Sequence, residues 1–566
     1  MYKEYGASDV PLARGVDVRR RGLLKLGALA TAATGALTLS SLEGNPAEAA
    51  SQPSTPAQSN SLSDLNTVYV TQSALADALA QKVSKGELIV NVKDHGAAGD
   101  AVRNSSGGAI SVGSSQFSGS GFGPNDVGKF FAVVGAGPNG TALITTITAY
   151  LSTGSVVLGA NASTTVTNAP YLYGTDDTNA IQKVLDGVND TSYTQVFFPR
   201  GSYLTDGLQL KSNTQLLGAG RGAWAYEFYD RTTRLIAKPG MTTAGLVNDA
   251  PNETVGNVRL ADMMLDGARA FQSTPSTGIY LTDSKISADS FWNIERVYVG
   301  FFNGDGGYFG AYRRANRVND CHFWQCAGSG VRIEGTDNSF VQTVFAQNGS
   351  DGVLLNQGAN HFFGCDIFSN TGNGARIAAL GRMNQFTNCF FDVNYKCGIY
   401  NEAKNLSLTQ CRFTSNSQAA DGVYPDVDIV GGPTGCSLVT PTFYAGAGLA
   451  NLPHSGIRAT GNGVSNLVYV TGFSHDPGVT TWRSGSYVEV SVGVLHKGFA
   501  FSDGSVLTTG SSSGTRFGAS SSNKLSFYGA IPIVRPTVVA AASDAASTQA
   551  LVNDLRAKLI ALGLVG

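Results

Sequence analysis

The chain has 566 residues, more than one ordinary globular core organises, yet only 14% of them are charged and the net charge is −2. So weak a field, with no polybasic stripe and no stacking platform with basic flanks, argues against nucleic acid as a partner. The 70 glycines, beside abundant Ser, Thr and Asn, suit many short strands joined by tight turns.

In chain order, residues 1–49 read as an address. Arg19-Arg20-Arg21-Gly22-Leu23-Leu24-Lys25 precedes a mild apolar run over 26–39 and then Ala47-Glu48-Ala49. This is the layout of a signal peptide, with cleavage expected after Ala49. The arginines followed by Gly-Leu-Leu-Lys resemble the twin-arginine (Tat) export signal, which implies a bacterial protein that is secreted or held at the cell surface. The run is short and rich in Ala, Thr and Gly, so a transmembrane protein is not expected. Residues 50–86 combine a Ser/Pro/Gln-rich linker (51–66) with a short helix over 71–83.

From 88 the pattern turns to strands. The stretch 88–100 ends Asp94-His95-Gly96-Ala97-Ala98-Gly99-Asp100, and residues 101–173 form an interruption of Ser/Gly-rich loops and short alternating strands, expected to be a small inserted β module. Asp176, Asp177 and Thr178 are placed to cap a helix over 179–188 that closes the open end of the strands beyond it. Strands at 196–203 and 208–221 come next.

The rest of the chain is organised by a repeat over 316–416. Phe323, Phe345, Ile367, Phe391 and Phe413 are spaced 22, 22, 24 and 22 residues apart, and Asn348, Asn370, Asn394 and Asn416 each follow an anchor by three. Such a period, with short apolar alternations, predicts stacked coils. Each row is too short for a strand plus a helix and lacks the leucines of a leucine-rich repeat, so it fits one coil of a parallel β-helix. Alternation sends Cys321, Thr343, Cys365, Cys389 and Cys411 inward with the anchors, where cysteine serves as a small apolar filler. The asparagines are expected to form an internal ladder, their amides bonding to neighbouring coils. The β-helix is expected over 87–440, with later coils or a small β region over 441–530 and a tail and helix over 531–566.

The motifs of 88–221, together with the repeats, resemble the pectate-lyase superfamily, in particular the rhamnogalacturonase/epimerase-like group related to family 28 glycoside hydrolases. The residues that carry the likeness are Asn91-Val92-Lys93-Asp94 with Gly96-Ala97-Ala98-Gly99-Asp100, then Thr175-Asp176-Asp177-Thr178, Phe198-Pro199-Arg200-Gly201-Ser202-Tyr203 and Leu217-Gly218-Ala219-Gly220. The resemblance implies an all-β chain folded as a right-handed parallel β-helix acting on a polysaccharide; the inserted module at 101–173 departs from that group's compact pattern, and short helices are expected toward the termini. Residues 524–566 resemble the trailing segment of phage tailspike-like proteins, which leaves monomer and homotrimer both open. The Gly-His-Gly of the polygalacturonase branch is missing, and Arg332-Ile333-Glu334 stands where its Arg-Ile-Lys would be sought.

If Cys321 and Phe323 point in, Asp320, His322 and Trp324 point out. The same count exposes Asp366 and Phe368, Phe390 and Asp392, Arg412, and upstream Arg296 and Tyr298. Aromatic rings beside charged groups are how sugar sites are built. Asp320, His322, Asp366 and Asp392 are therefore the candidate catalytic residues, and Trp324, Tyr298, Arg296, Phe368, Phe390 and Arg412 the candidate substrate contacts. Strand spacing puts Asp366 and Asp392 ~8 Å apart and Asp320 and Asp366 ~10 Å apart, near the ~6.5–9.5 Å of an inverting glycosidase. The reading is a glycoside hydrolase with a polysaccharide substrate and no cofactor or metal; the alternatives are a tailspike-like glycan binder and a polysaccharide lyase. A lyase using Ca2+ needs clustered carboxylates, for which Asp262 and Asp266, with Arg296 as base, are the only set to nominate. A second outward row, Arg332, Glu334, Arg376 and Glu402, reads as surface ion pairs rather than a competing groove.

Overall fold

The computed structural model describes residues 88–565 apart from 189–192, 223–231, 250–254, 283–287, 431–434, 445–450, 460–467, 472–473, 476–487, 491–522, 526, 528–530 and 538–539. The signal peptide, the linker and the helix expected over 71–83 lie outside the described residues. Two compact units divide at 497/498.

The first unit is a parallel β-helix. Each repeat row contributes three short strands, as in Arg317–Asn319, His322–Trp324 and Val331–Ile333, and each pairs in parallel with its counterpart one coil on: Ser339–Val341, Val344–Ala346 and Val353–Leu355. The first two strands of every coil belong to one 21-stranded sheet and the third to an 11-stranded sheet. A single residue with left-handed backbone turns the chain between the first two strands: Asp320, Gln342, Gly364, Asn388 and Gln410 occupy that corner with φ between 48° and 62°. Asn and Asp tolerate this conformation better than branched residues do.

The core is a set of columns. Phe323, Phe345, Ile367, Phe391, Phe413 and Phe443 are register partners and fully buried. Phe391 and Phe413 stack with centroids 5.0 Å apart, as do Phe362 and Phe386 at 4.6 Å. Cys321, Thr343, Cys365, Cys389 and Cys411 form a buried column beside them, and all seven cysteines are free thiols. The expected asparagine ladder is present. Asn370 Nδ2 donates to Phe345 O and to Asn394 Oδ1, both at 3.0 Å, while its own Oδ1 accepts from Asn348 N at 3.1 Å. A second ladder, Asn316–Asn338–Asn360–Asn384, runs along another corner with the same amide-to-amide bonding in its first two steps, while Asn360 reaches Asn384 Oδ1 through its backbone N. Its spacings of 22, 22 and 24, beside 22, 24 and 22 in the first, are equally visible in the sequence. Buried backbone at these corners has no strand partner, and the amides satisfy it.

Beyond 440 the described strands continue the stack: Ile457–Ala459 pairs with Val427–Ile429, and Val468–Thr471 with Cys436–Val439. At the other end the helix Thr178–Asp186 closes the first coil with Ile181, Val184 and Leu185 in the common core. Its capping differs from expectation. Asp176 accepts from Thr178 N at 3.1 Å, but Asp177 turns away and accepts from Ala98 N and Gly99 N at 2.6 and 3.1 Å. It thus ties the helix start to the loop that enters the inserted module.

That module is a closed antiparallel barrel around Phe117, Phe131, Tyr171 and Tyr173. Its outer residues Ala132 and Leu172 pack on Leu204, Ile236 and Phe271 of the β-helix. Arg103 of the barrel reaches Asp266 of the coils at 2.5 Å, and Arg234 binds the same carboxylate. In the second unit, Ala545–Ala561 is a helix that buries none of its residues.

Candidate functional site

Because Phe323 and its column point in, their strand neighbours point out, and the register sorts them into two parallel columns. Tyr298, His322, Val344, Asp366, Phe390 and Arg412 form one. Gly300, Trp324, Ala346, Phe368, Asp392 and Thr414 form the other. Asp366 and Asp392 therefore sit on adjacent strands, offset by two residues, which places their backbones ~8 Å apart from ~4.8 Å between strands and ~3.3 Å per residue.

Their surroundings divide the pair. Burial pushes the Asp392 carboxyl up to about 7, and the charge of Asp366 adds to the effect. The surrounding protein also raises Asp366 by partial desolvation, although its side chain reaches the surface, and Cys389 adds to the rise while the Arg412 guanidinium in its own column opposes it. Asp392 thus holds its proton toward neutrality, while Asp366 has a cation beside it that favours its charged form, the asymmetry that an acid and a base sharing one bond require. Behind them, Asp426 is buried at the end of the asparagine ladder, where Asn416 Nδ2 donates to it at 2.6 Å; burial, with the Asp392 charge, pushes it up to about 8.

His322 lies two coils before Asp366. Burial lowers it to about 4, helped by the Arg221 charge and opposed by Asp320, so its ring is neutral at neutral pH. Its Nδ1 is buried without a hydrogen-bond partner, and its ring centroid is 5.8 Å from that of Tyr298.

Several expectations need correction. Tyr298 and Trp324 face outward but are only 6% and 7% exposed, packed with Met264, Phe301 and Ala346. Trp324 meets Phe368 edge-on at 5.6 Å, and Arg103 of the barrel lies over Phe301 at 5.3 Å. Large rings on neighbouring coils cover one another, so these two residues form a wall of the face rather than an open stacking platform. Asp320 is on the corner and not on the strand; its left-handed backbone turns the side chain toward Arg221, 3.0 Å away. Arg296 occupies the same corner one coil earlier and grips Asp262 through Nε and Nη2, both at 2.6 Å, which makes it a brace between coils. Counting alternation straight through a corner misplaces both. Asp266 does point out of its coil, but the barrel covers it and two arginines hold it, so it does not join Asp262 in an open carboxylate cluster. Phe368, Phe390 and Asp392 are half-buried, whereas Asp366 and Arg412 are exposed.

The second outward row also differs from expectation. Arg332 does pair with Glu334 at 2.8 Å. Arg376, however, is not paired with Glu402, which instead receives the Tyr400 hydroxyl at 3.5 Å. The outer column of this sheet runs Tyr280, Tyr308, Arg332, Leu354, Arg376, Tyr400, Asp428 and Arg458. Tyr280 and Tyr308 stack at 4.8 Å, and Arg332 lies over Tyr308 at 5.6 Å. The signal that could have found this column is the residue two places after Gly330, Gly352, Gly374 and Gly398, which alternation sends outward once the residue between is buried.

Known proteins share stretches of sequence with this chain. Over 135 residues it is 27% identical to alginate lyase 7 of Azotobacter vinelandii, a stretch that is 22% of this chain and 15% of the lyase. Over 141 residues it is 29% identical to the mannuronan C5-epimerase AlgE1 of the same organism, covering 23% of this chain and 10% of the epimerase. The chain therefore spans a small fraction of the curated relatives it matches. Among solved structures, the A-module of mannuronan C-5 epimerase AlgE4 from Azotobacter vinelandii superposes with a TM-score of 0.44 at 18% identity, covering 57% of this chain and 96% of the module. The full-length tailspike protein 2 of an Escherichia coli O157:H7 bacteriophage superposes with a TM-score of 0.43 at 15% identity, covering 74% of this chain and 57% of the tailspike. Residues 243–443 match the family model described as the right handed beta helix region, in agreement with the parallel β-helix that the coils of this stretch form.

Proposed function

We propose that this chain is a polysaccharide-processing enzyme that hydrolyses a glycosidic bond on the outer face of residues 298–412. Asp392 donates a proton to the leaving oxygen, and Asp366 takes one from the attacking water. The observation that carries this reading is the pair itself: two outward carboxylates on adjacent coils, their backbones ~8 Å apart, with one pushed up to about 7 and the other beside the Arg412 guanidinium, which favours its charged form. A separation of ~6.5–9.5 Å leaves room for a water and inverts the sugar. Phe368 and Phe390 flank the pair and offer apolar surface to a sugar ring. Fold alone assigns no reaction, but the names of the matched relatives, a lyase and an epimerase of uronic-acid polymers, fit a glycan substrate. Export by residues 1–49 would place the enzyme where such polymers occur.

A second reading is proton abstraction from a uronan, ending in elimination or epimerisation. It is favoured by His322, a neutral ring with a bare Nδ1 beside Tyr298. Incubation with mannuronan, alginate and a panel of neutral glycans separates the two. Hydrolysis yields new reducing ends without unsaturated sugars, and Asp392→Asn abolishes it. Unsaturated ends, or altered sugar composition without cleavage, lost in His322→Gln but kept in Asp392→Asn, would replace the first reading with the second.

A further inference from the structure

The second sheet carries a site of its own. A cavity of about 290 Å³ opens on its outer face, lined among others by Arg376, Lys396, Tyr400, Tyr424, Asp428 and Arg458. Arg376, Tyr400, Asp428 and Arg458 are consecutive rungs of one column. Lys396 comes from the turn before Tyr400, and Tyr424 from the loop before Asp428. Arg458 and Asp428 are joined by two hydrogen bonds, at 3.1 and 2.6 Å, which largely cancels their charges and fixes that end of the cavity. Among the described residues, Arg376 and Lys396 have no ion-pair partner, and both are exposed. The free charge of the cavity is therefore positive, on a chain whose net charge is −2.

We propose that this cavity binds an acidic glycan, with the carboxylate of a uronic-acid residue held by Arg376 and Lys396. A guanidinium and an ammonium converging from neighbouring turns supply charge-assisted hydrogen bonds to a carboxylate. Tyr400 and Tyr424 supply ring faces and hydroxyls for the pyranose. Arg376 and Arg458 stand three rungs apart, ~14 Å by strand spacing, which is longer than one sugar ring, so the ligand is an oligosaccharide lying along the coils. The stacked Tyr280 and Tyr308 extend the same column toward the N-terminal end. This binding is independent of the Asp366/Asp392 chemistry, which lies on the outer face of the other sheet.

Titration calorimetry with a galacturonate trimer tests it, using the full chain, the Arg376→Ala/Lys396→Ala variant and Asp392→Asn. The expected result is binding that weakens with salt, falls about tenfold or more in the double variant, and is unchanged in Asp392→Asn. Tyr400→Ala, which leaves both cations in place, is expected to weaken binding of the trimer without altering its salt dependence. No binding, equal binding by the double variant, or equal affinity for a neutral galactose trimer overturns the proposal. Displacement of the trimer by inorganic sulfate at an equal concentration also overturns it, since that marks a general anion site. Failure of turnover in Asp392→Asn with trimer binding intact separates this site from the proposed hydrolytic pair.

Discussion

Replacing Asp392 with asparagine is expected to make the protein more stable in alkali while abolishing turnover. In the folded chain this carboxyl titrates at about 7, against 3.8 for an ordinary aspartate. Below the ordinary value both folded and unfolded chains carry the proton, and the group contributes no pH dependence. As pH rises toward 7 the unfolded chain releases its proton and the folded chain does not, so wild-type stability falls by ~1.4 kcal/mol per pH unit. Above that point the loss is constant, at roughly 4 kcal/mol for a carboxyl raised by about three pH units, an upper bound because the group is only partly enclosed and water can relax around it. Asparagine keeps the shape and has no charge to bury, and it also removes the charge that helps raise Asp426. Urea midpoints followed by circular dichroism should coincide for the two proteins near pH ~4 and diverge by pH ~8 in favour of the variant. Midpoints are the quantity to compare, since a long stack of coils need not unfold in one step. Midpoints that move in parallel across this range would refute the assignment of a raised Asp392, and with it the acid of the proposed mechanism.

Other perturbations probe other parts of the chain. Asn370→Ala removes a fully buried rung: Asn348 N loses its acceptor, Phe345 O loses the amide that donates to it, and Asn348 Nδ2 and Asn394 Oδ1 each lose one of their two ladder bonds. At ~1–3 kcal/mol per orphaned group, the urea midpoint should drop sharply, whereas substitution of the exposed Gln347 should leave it unchanged. Asp266→Ala leaves Arg103 and Arg234 facing each other under the barrel. Loss of a buried partner costs about 3–5 kcal/mol, and limited proteolysis should then cut at the barrel boundaries, near 100 and 174, faster than in the wild type. Residues 1–49 fused to a folded reporter should carry it across the bacterial inner membrane, and Arg20→Lys with Arg21→Lys should stop it.

The repeat rows made the β-helix legible, because inward residues recur with the coil and alternation needs no long-range information. The phenylalanine column, the cysteine column and the Asn348–Asn416 ladder all follow from spacing. So does the common outer face of His322, Asp366, Phe390 and Arg412, since one register serves every coil. What spacing does not carry is the fate of a side chain once the chain bends or another body approaches. The left-handed corner turned Asp320 and Arg296 out of the strand face and into ion pairs, because one residue of positive φ breaks the alternation that a linear count assumes. The barrel of residues 102–174 lies far along the chain from Asp266, yet it covers that carboxylate and brings Arg103 to it. Tyr298 and Trp324 lost their exposure to neighbours that meet only when coils stack. The cavity around Arg376 and Lys396 likewise draws on strands, a turn and a loop from separate coils, and packing in three dimensions alone brings those groups together.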